Sequence, residues 1–411
     1  AGTARNASNG GELNINAADS ILVNGTAPNA TLFSGRSGIF VSAEPSYINN
    51  SGELVPTIGD SGNLLINTGK LTVEGGKISA DTFGTGKAGE LTLNVNELII
   101  RNGGLVRTGS LVEEGAVSQE RGAAGILRVN AAESVLVSGS GTVGDSQVNS
   151  TLFTASEGTG NAGQIFVTTK QMDVRDGGEV TASSSGNNTG GEIQFNVNSL
   201  TLNNGRISTT TRSNTGGDID LNIQDLLLLR NGSQISTTAG DEQFGGDGGN
   251  ININTPDGFI VAFPNENSDI TANAFSGNGG NVDITAFGVF GIEFRDELTG
   301  LSDITASSTE ALDGNVNIET PGIEPNPETV ELAQDTQSTE VAQGCQTSGE
   351  AAVAFFNIGR GGLPPSPGET LNSEDVIAGW IPLVMEESRV DEKVSRVPRG
   401  LKKKGISDCN I

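Results

Sequence analysis

The stretch GGEIQFNVNSLTLNNGRISTTT, residues 190–211, decides the fold. Within it, apolar and polar residues alternate, with apolar side chains at Ile193 and Phe195, then at Leu200 and Leu202, and then at Ile207. Period-two alternation is the pattern of a strand that buries one face. An Asn-Gly pair supplies a tight corner before the third alternation. The stretch therefore predicts three short strands joined by corners.

This three-strand unit recurs along the chain, and each copy begins at a glycine: Gly11, Gly62, Gly89, Gly125, Gly163, Gly191, Gly217, Gly249, Gly280 and Gly314. From Gly62 onward, copies start 26 to 38 residues apart, and the gap of 51 residues before Gly62 indicates a long insertion or a degenerate coil. The second and fourth residues after every glycine are apolar. One unit alone buries little, whereas stacked units form a continuous interior. We therefore predict a right-handed parallel β-helix with three strands per coil and about ten coils.

The fifth residue after the glycine is asparagine in seven of the ten copies: Asn16, Asn67, Asn94, Asn130, Asn196, Asn222 and Asn254. In stacked coils, identical side chains lie about 4.8 Å apart. At that spacing, asparagine amides hydrogen-bond along a column. Asparagine also tolerates the backbone of a sharp corner. We predict that these seven residues form a structural ladder.

The composition changes after the last copy of the unit, so we divide the chain into three regions. Residues 1–319 hold the repeats. Residues 320–343 are acidic and rich in proline, as expected of a linker. Residues 344–411 are not repetitive and contain Trp380, Cys345 and Cys409, and the sequence leaves open whether the two cysteines pair. We expect this region to cap the end of the β-helix, because open end strands invite aggregation.

Charge and composition exclude several classes of partner. The formal net charge is −27 and the pI is near 4.2, so the chain repels phosphate backbones and nucleic acid is not expected to bind. The chain has no histidine, which argues against a zinc site. No stretch is apolar for long enough to predict a transmembrane helix. The chain begins partway into a repeat, so we expect a longer protein with its export signal upstream.

Two glycine motifs resemble ligand-binding loops. Residues 84–89 and 158–163 match GxGxxG, which binds nucleotides when it lies between a strand and a helix, but here a strand pattern follows each one. Residues 245–250, GGDGGN, resemble a calcium-binding nonapeptide, but the motif occurs only once. We therefore predict no cofactor, and at most incidental Ca²⁺ binding by acidic loops.

Acidic residues at outward strand positions are the candidate groups for catalysis on such a scaffold: Glu192, Asp218, Asp220 and Asp283. Asp218 and Asp220 are two residues apart and so face the same way. Polysaccharide lyases and hydrolases need carboxylates clustered with Lys or Arg, whereas a solvated outer face needs no partner. We favour the solvated face and assign no catalytic residue.

Three phrases recur: Gly-Gly-Asn-(Ile/Val)-x-Ile, as at 248–253, Leu-x-Leu-x-Asn-Gly, as at 200–205, and Ile-Ser-Thr-Thr, as at 207–210. With these phrases the chain resembles the filamentous-haemagglutinin-like exoproteins of two-partner secretion. Residues 259–274, 291–295, 343–345 and 359–367 are especially similar to the C-terminal part of the cyanobacterial members. The resemblance implies a secreted or cell-surface protein, exported by an outer-membrane transporter of the Omp85-related type. The family's N-terminal secretion domain, which engages that transporter, has no match in this chain.

Two hypotheses about function follow. In the first, the rod is structural or adhesin-like, is not an enzyme, and displays variable loops at residues 26–35, 111–122 and 239–248 to extracellular glycans or surfaces. In the second, the same scaffold binds or cleaves a polysaccharide. A face of only Ser, Thr and Asn argues against cleavage, whereas carboxylates clustered with Lys or Arg in one groove favour it. We favour the first hypothesis.

Overall fold

A computed structural model describes residues 2–4, 8–27, 30, 35–44, 47–52, 54–55, 57–112, 121–185, 189–212, 214–240 and 245–321. In chain order the strands are β1 (Gly2–Ala4), β2 (Leu13–Asn16), β3 (Ser20–Asn24), β4 (Gly38–Ala43), β5 (Tyr47–Ile48), β6 (Leu54–Val55), β7 (Leu64–Glu74), β8 (Lys77–Thr82), β9 (Glu90–Arg101), β10 (Leu105–Ser110), β11 (Ile126–Ser138), β12 (Ser140–Val143), β13 (Ser146–Asn149), β14 (Thr151–Ser156), β15 (Gln164–Arg175), β16 (Glu179–Ser184), β17 (Glu192–Asn203), β18 (Arg206–Thr211), β19 (Ile219–Arg230), β20 (Gln234–Ala239), β21 (Ile251–Val261), β22 (Asp269–Thr271), β23 (Val282–Phe290), β24 (Glu293–Phe294), β25 (Asp303–Thr305) and β26 (Val316–Glu319). A short 3₁₀ helix, Pro264–Glu266, lies between β21 and β22.

Two long parallel sheets run along the described part of the chain. Sheet A has the strand order β1-β4-β8-β10-β14-β16-β18-β20-β22-β25-β24, and sheet B has the order β2-β7-β9-β11-β15-β17-β19-β21-β23-β26, with β3 also beside β7. The chain alternates between the sheets, so each coil adds one strand to sheet B and then one to sheet A. Each strand pairs in parallel with the equivalent strand of the next coil. This arrangement is an all-β parallel β-helix, as the repeat predicts.

The first two strands predicted for each coil are joined into one. β17, for example, runs for twelve residues, from Glu192 to Asn203. Its pairing with β19 shifts register between Val197 and Ser199, because β19 has one more residue than β17 at this corner. The pairing of β17 with β15 passes the same corner without a shift, so a bulge occurs only where neighbouring coils differ in length, and the inter-coil ladder continues on both sides of the corner. Each coil consequently contributes to two sheets, and the third predicted strand is the separate strand of sheet A.

The leading apolar residues of sheet B form the core. From Leu64 to Ile284, all sixteen residues at the second and fourth positions after the glycines are at most 1% exposed. Sheet A adds an inward column that includes Ile78, Val106 and Leu152, all fully buried. The same inward positions recur in every coil, so the core is one continuous cluster along the axis.

The gap of 51 residues before Gly62 holds an ordinary coil with an insertion. β2 and β3 join sheet B and β4 joins sheet A, after which β5 and β6 form a small antiparallel pair. A second antiparallel hairpin, β12 with β13, projects between β11 and β14. Insertions therefore leave the helix at corners and do not disturb the stacking of the coils.

The leading glycines bring the backbones of successive coils into close contact. A Cβ atom built on Gly217 would lie 1.9 Å from the carbonyl oxygen of Gly191. The equivalent distance is between 1.7 and 2.5 Å for all nine leading glycines from Gly62 to Gly314. Real Cβ contacts essentially never fall below 3.0 Å, so this corner admits only glycine. The glycine repeat in the sequence thus has a steric cause.

The chain divides into two units, Ala1–Val330 and Glu331–Ile411, and every described residue belongs to the first. The last described strand, β26, ends at Glu319. Apart from residues 320 and 321, the predicted linker at 320–343 lies outside the described residues. So does the whole segment 344–411, with Cys345, Cys409 and the expected cap, and these assignments stay predictions.

Candidate binding sites on the outer surface

The asparagine column lies on the outer surface of sheet B and is hydrogen-bonded in its first half. Each side-chain amide donates to the Oδ1 atom of the previous coil, with N···O distances of 2.7, 2.8 and 2.9 Å along Asn16, Asn67, Asn94 and Asn130. Thr168 takes the next position. In the described structure no amide–amide bond links the later members, Asn196, Asn222 and Asn254.

A shallow groove runs along this column. Three adjoining depressions of about 460, 420 and 530 Å³ make it up, and neighbouring depressions share wall residues. One wall is the fifth-position column, from Asn16 to Asn254. The other wall is the seventh-position column: Ala18, Gly69, Asn96, Ala132, Lys170, Asn198, Gln224 and Pro256. We call this feature the amide groove. It crosses eight coils, and seven steps of about 4.8 Å make it about 34 Å long.

Ten amide side chains line the amide groove, with small Ala and Thr residues between them. The one charged lining residue, Lys170, is paired with Glu133 at 2.8 Å. A primary amide has two N–H donors and an oxygen with two lone pairs, and the ladder uses one of each. The groove therefore presents a repeated array of neutral donors and acceptors, and its stacked coils fix their positions.

A second concavity, of about 350 Å³, lies on the outer face of sheet A. Its lining includes Leu105 and Arg107 of β10, Thr151 and Phe153 of β14, and Glu179 of β16. The rim residues include Arg36 from the loop between β3 and β4, Val148 and Asn149 of β13, and Glu157 after β14. We call this the charged pocket.

Buried charged side chains lie in and beneath the wall of the charged pocket. Arg107 and Asp81 form an ion pair at 3.0 Å, with side chains only 5% and 1% exposed. Lys77 lies on β8, the strand that pairs with the strand of Arg107. Its Nζ atom is 5.4 Å from the centre of the Phe40 ring. Burial, and then the charge of Arg107, lower the pKa of Lys77 to about 8. The same two causes lower the pKa of Arg36 to about 10.

Replacing Lys77 with Met is expected to stabilise the protein at pH 7. Below its pKa of about 8 the buried ammonium is charged, and burial opposes that charge. Between pH 8 and 10.5 the unfolded chain holds a proton that the folded state has released, so wild-type stability rises with pH in this window. We expect Lys77→Met to gain on the order of 1–2 kcal/mol at pH 7 after allowance for solvent screening.

The measurement is chemical denaturation of both proteins from pH 7 to 10. The variant should lack the rise in stability above pH 8 that the wild type shows. Lys170→Met is the control, since its side chain is 57% exposed. Equal pH dependence in the wild type and Lys77→Met would mean that the ammonium is well solvated.

The carboxylates considered from the sequence lie outside both concavities. Asp218 accepts hydrogen bonds from the backbone and side-chain N–H groups of Asn250 at 2.9 and 3.0 Å. Asp220 accepts from the amide of Asn252 at 3.3 Å, and Asp283 follows Asn252 in the same outward register. Glu192 likewise accepts from the amide of the preceding coil, that of Gln164, at 2.5 Å. These acids take part in outer-face contacts between coils, and the described structure places no cation beside them.

The three variable loops are only partly described. Residues 28–29, 31–34, 113–120 and 241–244 lie outside the described residues. Arg36, the residue that follows the first loop, and Leu111, the first residue of the second loop, both line the charged pocket. The GxGxxG motifs form bends that lead directly into β9 and β15. Among the described residues, no group of three or more His, Cys, Asp or Glu side chains is placed to hold a metal ion.

Sequence reasoning missed the charged pocket. The available signal was the chemistry of the outward positions of the third strand, where the coils that form the pocket and its surroundings carry charged residues. In these coils the charged residues are Lys77, Asp81, Arg107 and Glu179, and later coils add Arg206, Asp269 and Asp303 at the same register. The proximity of the first four to Arg36 depends on the path of the long loop between β3 and β4, which the repeat does not encode.

Comparison of the chain with protein-family models, with curated proteins and with solved structures found no match in any of the three. Within the described ranges, no helix has the length and apolar character needed to cross a membrane.

Proposed function

We propose that this β-helix is an adhesin-like extracellular rod that binds an extended, uncharged polysaccharide along the amide groove. The observation that carries the proposal is the line of amide side chains along the groove, to which seven of the eight coils contribute; the remaining coil places Thr168 and Lys170 there. Sugar hydroxyl groups both donate and accept hydrogen bonds, as amides do. The coil spacing of about 4.8 Å is close to the length of one pyranose unit in an extended chain.

Charge supports an uncharged ligand. The chain carries a net charge of −27, which disfavours polyanions at its surface. The groove adds no compensating cation, because Lys170 is already paired. The resemblance to exoproteins of two-partner secretion supports the extracellular location and the Omp85-related exporter, both of which are parts of this proposal.

Removing two amides from one coil is expected to weaken binding by about tenfold. Asn196 and Asn198 lie on opposite walls of the groove on β17, and both side chains are exposed. Each lost hydrogen bond is worth roughly 0.5–1.5 kcal/mol, so Asn196→Ala with Asn198→Ala should lower affinity without unfolding the chain. The matched control is Ser199→Ala with Thr201→Ala, on the same strand but outside the groove.

The test is binding of the purified protein to a panel of neutral polysaccharides, with every ligand checked for chain cleavage. Binding without cleavage that the groove pair weakens and the control pair leaves intact is the expected result. Absence of binding to every member would refute the proposal. Cleavage would favour the enzymatic hypothesis and direct attention to Glu157 and Glu179, the carboxylates that lie with Arg36 and Arg107 in one pocket.

A further inference from the structure

We propose that the charged pocket is a second binding site, which takes a single sugar residue bearing one carboxylate, of the uronic-acid type. The sugar carboxylate would lie against Arg36 and the ring would lie over Phe153. The site is on sheet A, whereas the amide groove is on sheet B, so this inference does not depend on the proposed function.

The size and lining of the pocket suit one sugar. Its volume of about 350 Å³ falls in the range typical of small-ligand sites. Leu105 and Phe153 provide an apolar floor, and polar groups stand around it. An aromatic ring packs well against the C–H face of a pyranose, while the hydroxyl groups point outward to polar partners.

Arg36 is the group that selects an acid. Its Nε atom donates to the carbonyl oxygen of Gly75 at 3.0 Å, and one terminal nitrogen donates to the carbonyl oxygen of Gly103. These bonds hold the guanidinium in place, yet among the described residues no carboxylate is paired with it. A guanidinium has five N–H donors and binds a carboxylate with two of them side by side.

Repulsion between the positive charges of Arg36 and Arg107 adds to the preference of the pocket for an acid. The pKa of Arg36 is lowered by burial and then by the positive charge of Arg107. The charge of Arg107 is balanced by its ion pair with Asp81, whereas the charge of Arg36 has no such partner among the described residues. A bound carboxylate would offset it. These charges act at short range, and salt screens the distant acidic surface over about 8 Å at physiological ionic strength.

The opposite wall limits the ligand to one acidic group. Glu157 accepts a hydrogen bond from the backbone N–H of Val112 at 2.8 Å, and Glu179 accepts from the amide of Asn149 at 2.9 Å. Both carboxylates keep lone pairs that can accept hydrogen bonds from sugar hydroxyls. Their charge repels a second anion, so the pocket as a whole fits a polyhydroxylated ring with an acid at one end.

The experiment is calorimetric titration of the intact protein with D-glucuronate, D-glucose and acetate. We expect glucuronate to bind at least about tenfold more tightly than either of the others, since a charge-assisted hydrogen bond contributes roughly 1.5–3 kcal/mol. Arg36→Gln should weaken glucuronate binding by about tenfold or more. Arg206→Gln is the control, because Arg206 lies on the same outer face beside Glu179 but does not line the pocket.

Phe153→Leu provides a second variant that keeps the floor apolar but removes the ring face, and it should also weaken glucuronate binding. Thermal melts of each variant separate loss of binding from loss of fold. Three results would overturn the inference: glucuronate binding no tighter than acetate or glucose, binding unaffected by both Arg36→Gln and Phe153→Leu, or binding abolished by the Asn196→Ala and Asn198→Ala pair.

Discussion

Phe195→Ala is expected to destabilise the protein by about 3–5 kcal/mol, the usual cost of removing a buried phenylalanine. Phe195 is fully buried and is among the largest fully buried side chains of the described core. It stacks between Val167 of the preceding coil and Leu221 of the next, in the middle of the stack of coils. The cavity would therefore be closed on both sides by coils whose backbones are already hydrogen-bonded in register.

The control for Phe195→Ala is Gln194→Ala, one residue earlier on the same strand and facing outward. Substitutions at such surface positions usually change stability by no more than about 0.5 kcal/mol. Denaturant unfolding followed by far-ultraviolet circular dichroism measures both. If the two variants lost the same stability, the assignment of inward and outward faces would be wrong by one residue.

Gly217→Ala is expected to destabilise the protein by about 2–4 kcal/mol, at or above the usual range for overpacking. The new Cβ atom would lie 1.9 Å from the carbonyl oxygen of Gly191, and further backbone atoms of Gly191 lie within 3.0 Å of it. No side-chain rotation can relieve a contact between backbones. The coils of Gly191 and Gly217 must therefore separate locally, which strains the hydrogen bonds between them, among them those from Gly190 N–H to the Thr215 carbonyl at 3.1 Å and from Ile193 N–H to the Asp218 carbonyl at 3.0 Å.

The same substitution at Gly11 is the matched control. Gly11 occupies the equivalent position of the first described coil, and no atom lies within 4 Å of the position that a Cβ atom would take there. Gly11→Ala should therefore leave the unfolding midpoint within experimental error or raise it slightly, because alanine lowers the entropy of the unfolded chain. Equal tolerance at Gly11 and Gly217 would show that the glycine column is not a close contact between coils.

The stacking of coils could be predicted from the sequence because it depends on local, repeated chemistry. The glycine before each alternation, the inward pair such as Ile193 and Phe195, and the outward asparagine are each fixed by their own coil. The joining of the first two strands could not be predicted. A strand that bends at a corner and a strand that ends there leave similar patterns in the sequence of a single coil. The register shift between Val197 and Ser199 becomes visible only when neighbouring coils are paired.

The two candidate sites differ in how far the sequence anticipates them. The asparagine column predicts one wall of the amide groove, whereas the opposite wall has mixed residues, such as Ala132 and Gln224, and no repeated signal. The charged pocket requires Arg36, from the loop between β3 and β4, to lie close to Arg107 from a later coil. Such meetings depend on the path of loops across the surface, and no periodicity encodes them.

A stacked scaffold has a functional advantage for holding a long ligand. Apart from Asn16 on the edge strand β2, the amide groups of the groove belong to coils whose strands are hydrogen-bonded on both sides, so their backbones lose little freedom on binding. Preorganised groups avoid much of the entropic cost of association. Weak contacts repeated over eight coils can then add up along an extended chain.

The most direct test of the central claim is the dependence of affinity on ligand length. Calorimetric titrations with cello-, xylo- and manno-oligosaccharide series of increasing length should identify a binding series and its length dependence. If the amide groove holds an extended chain, affinity should increase with each added sugar and level off at about seven or eight units, the number that spans about 34 Å. An affinity that is already maximal for a monosaccharide or disaccharide would contradict the account, because it would place recognition in a small pocket and not along the groove.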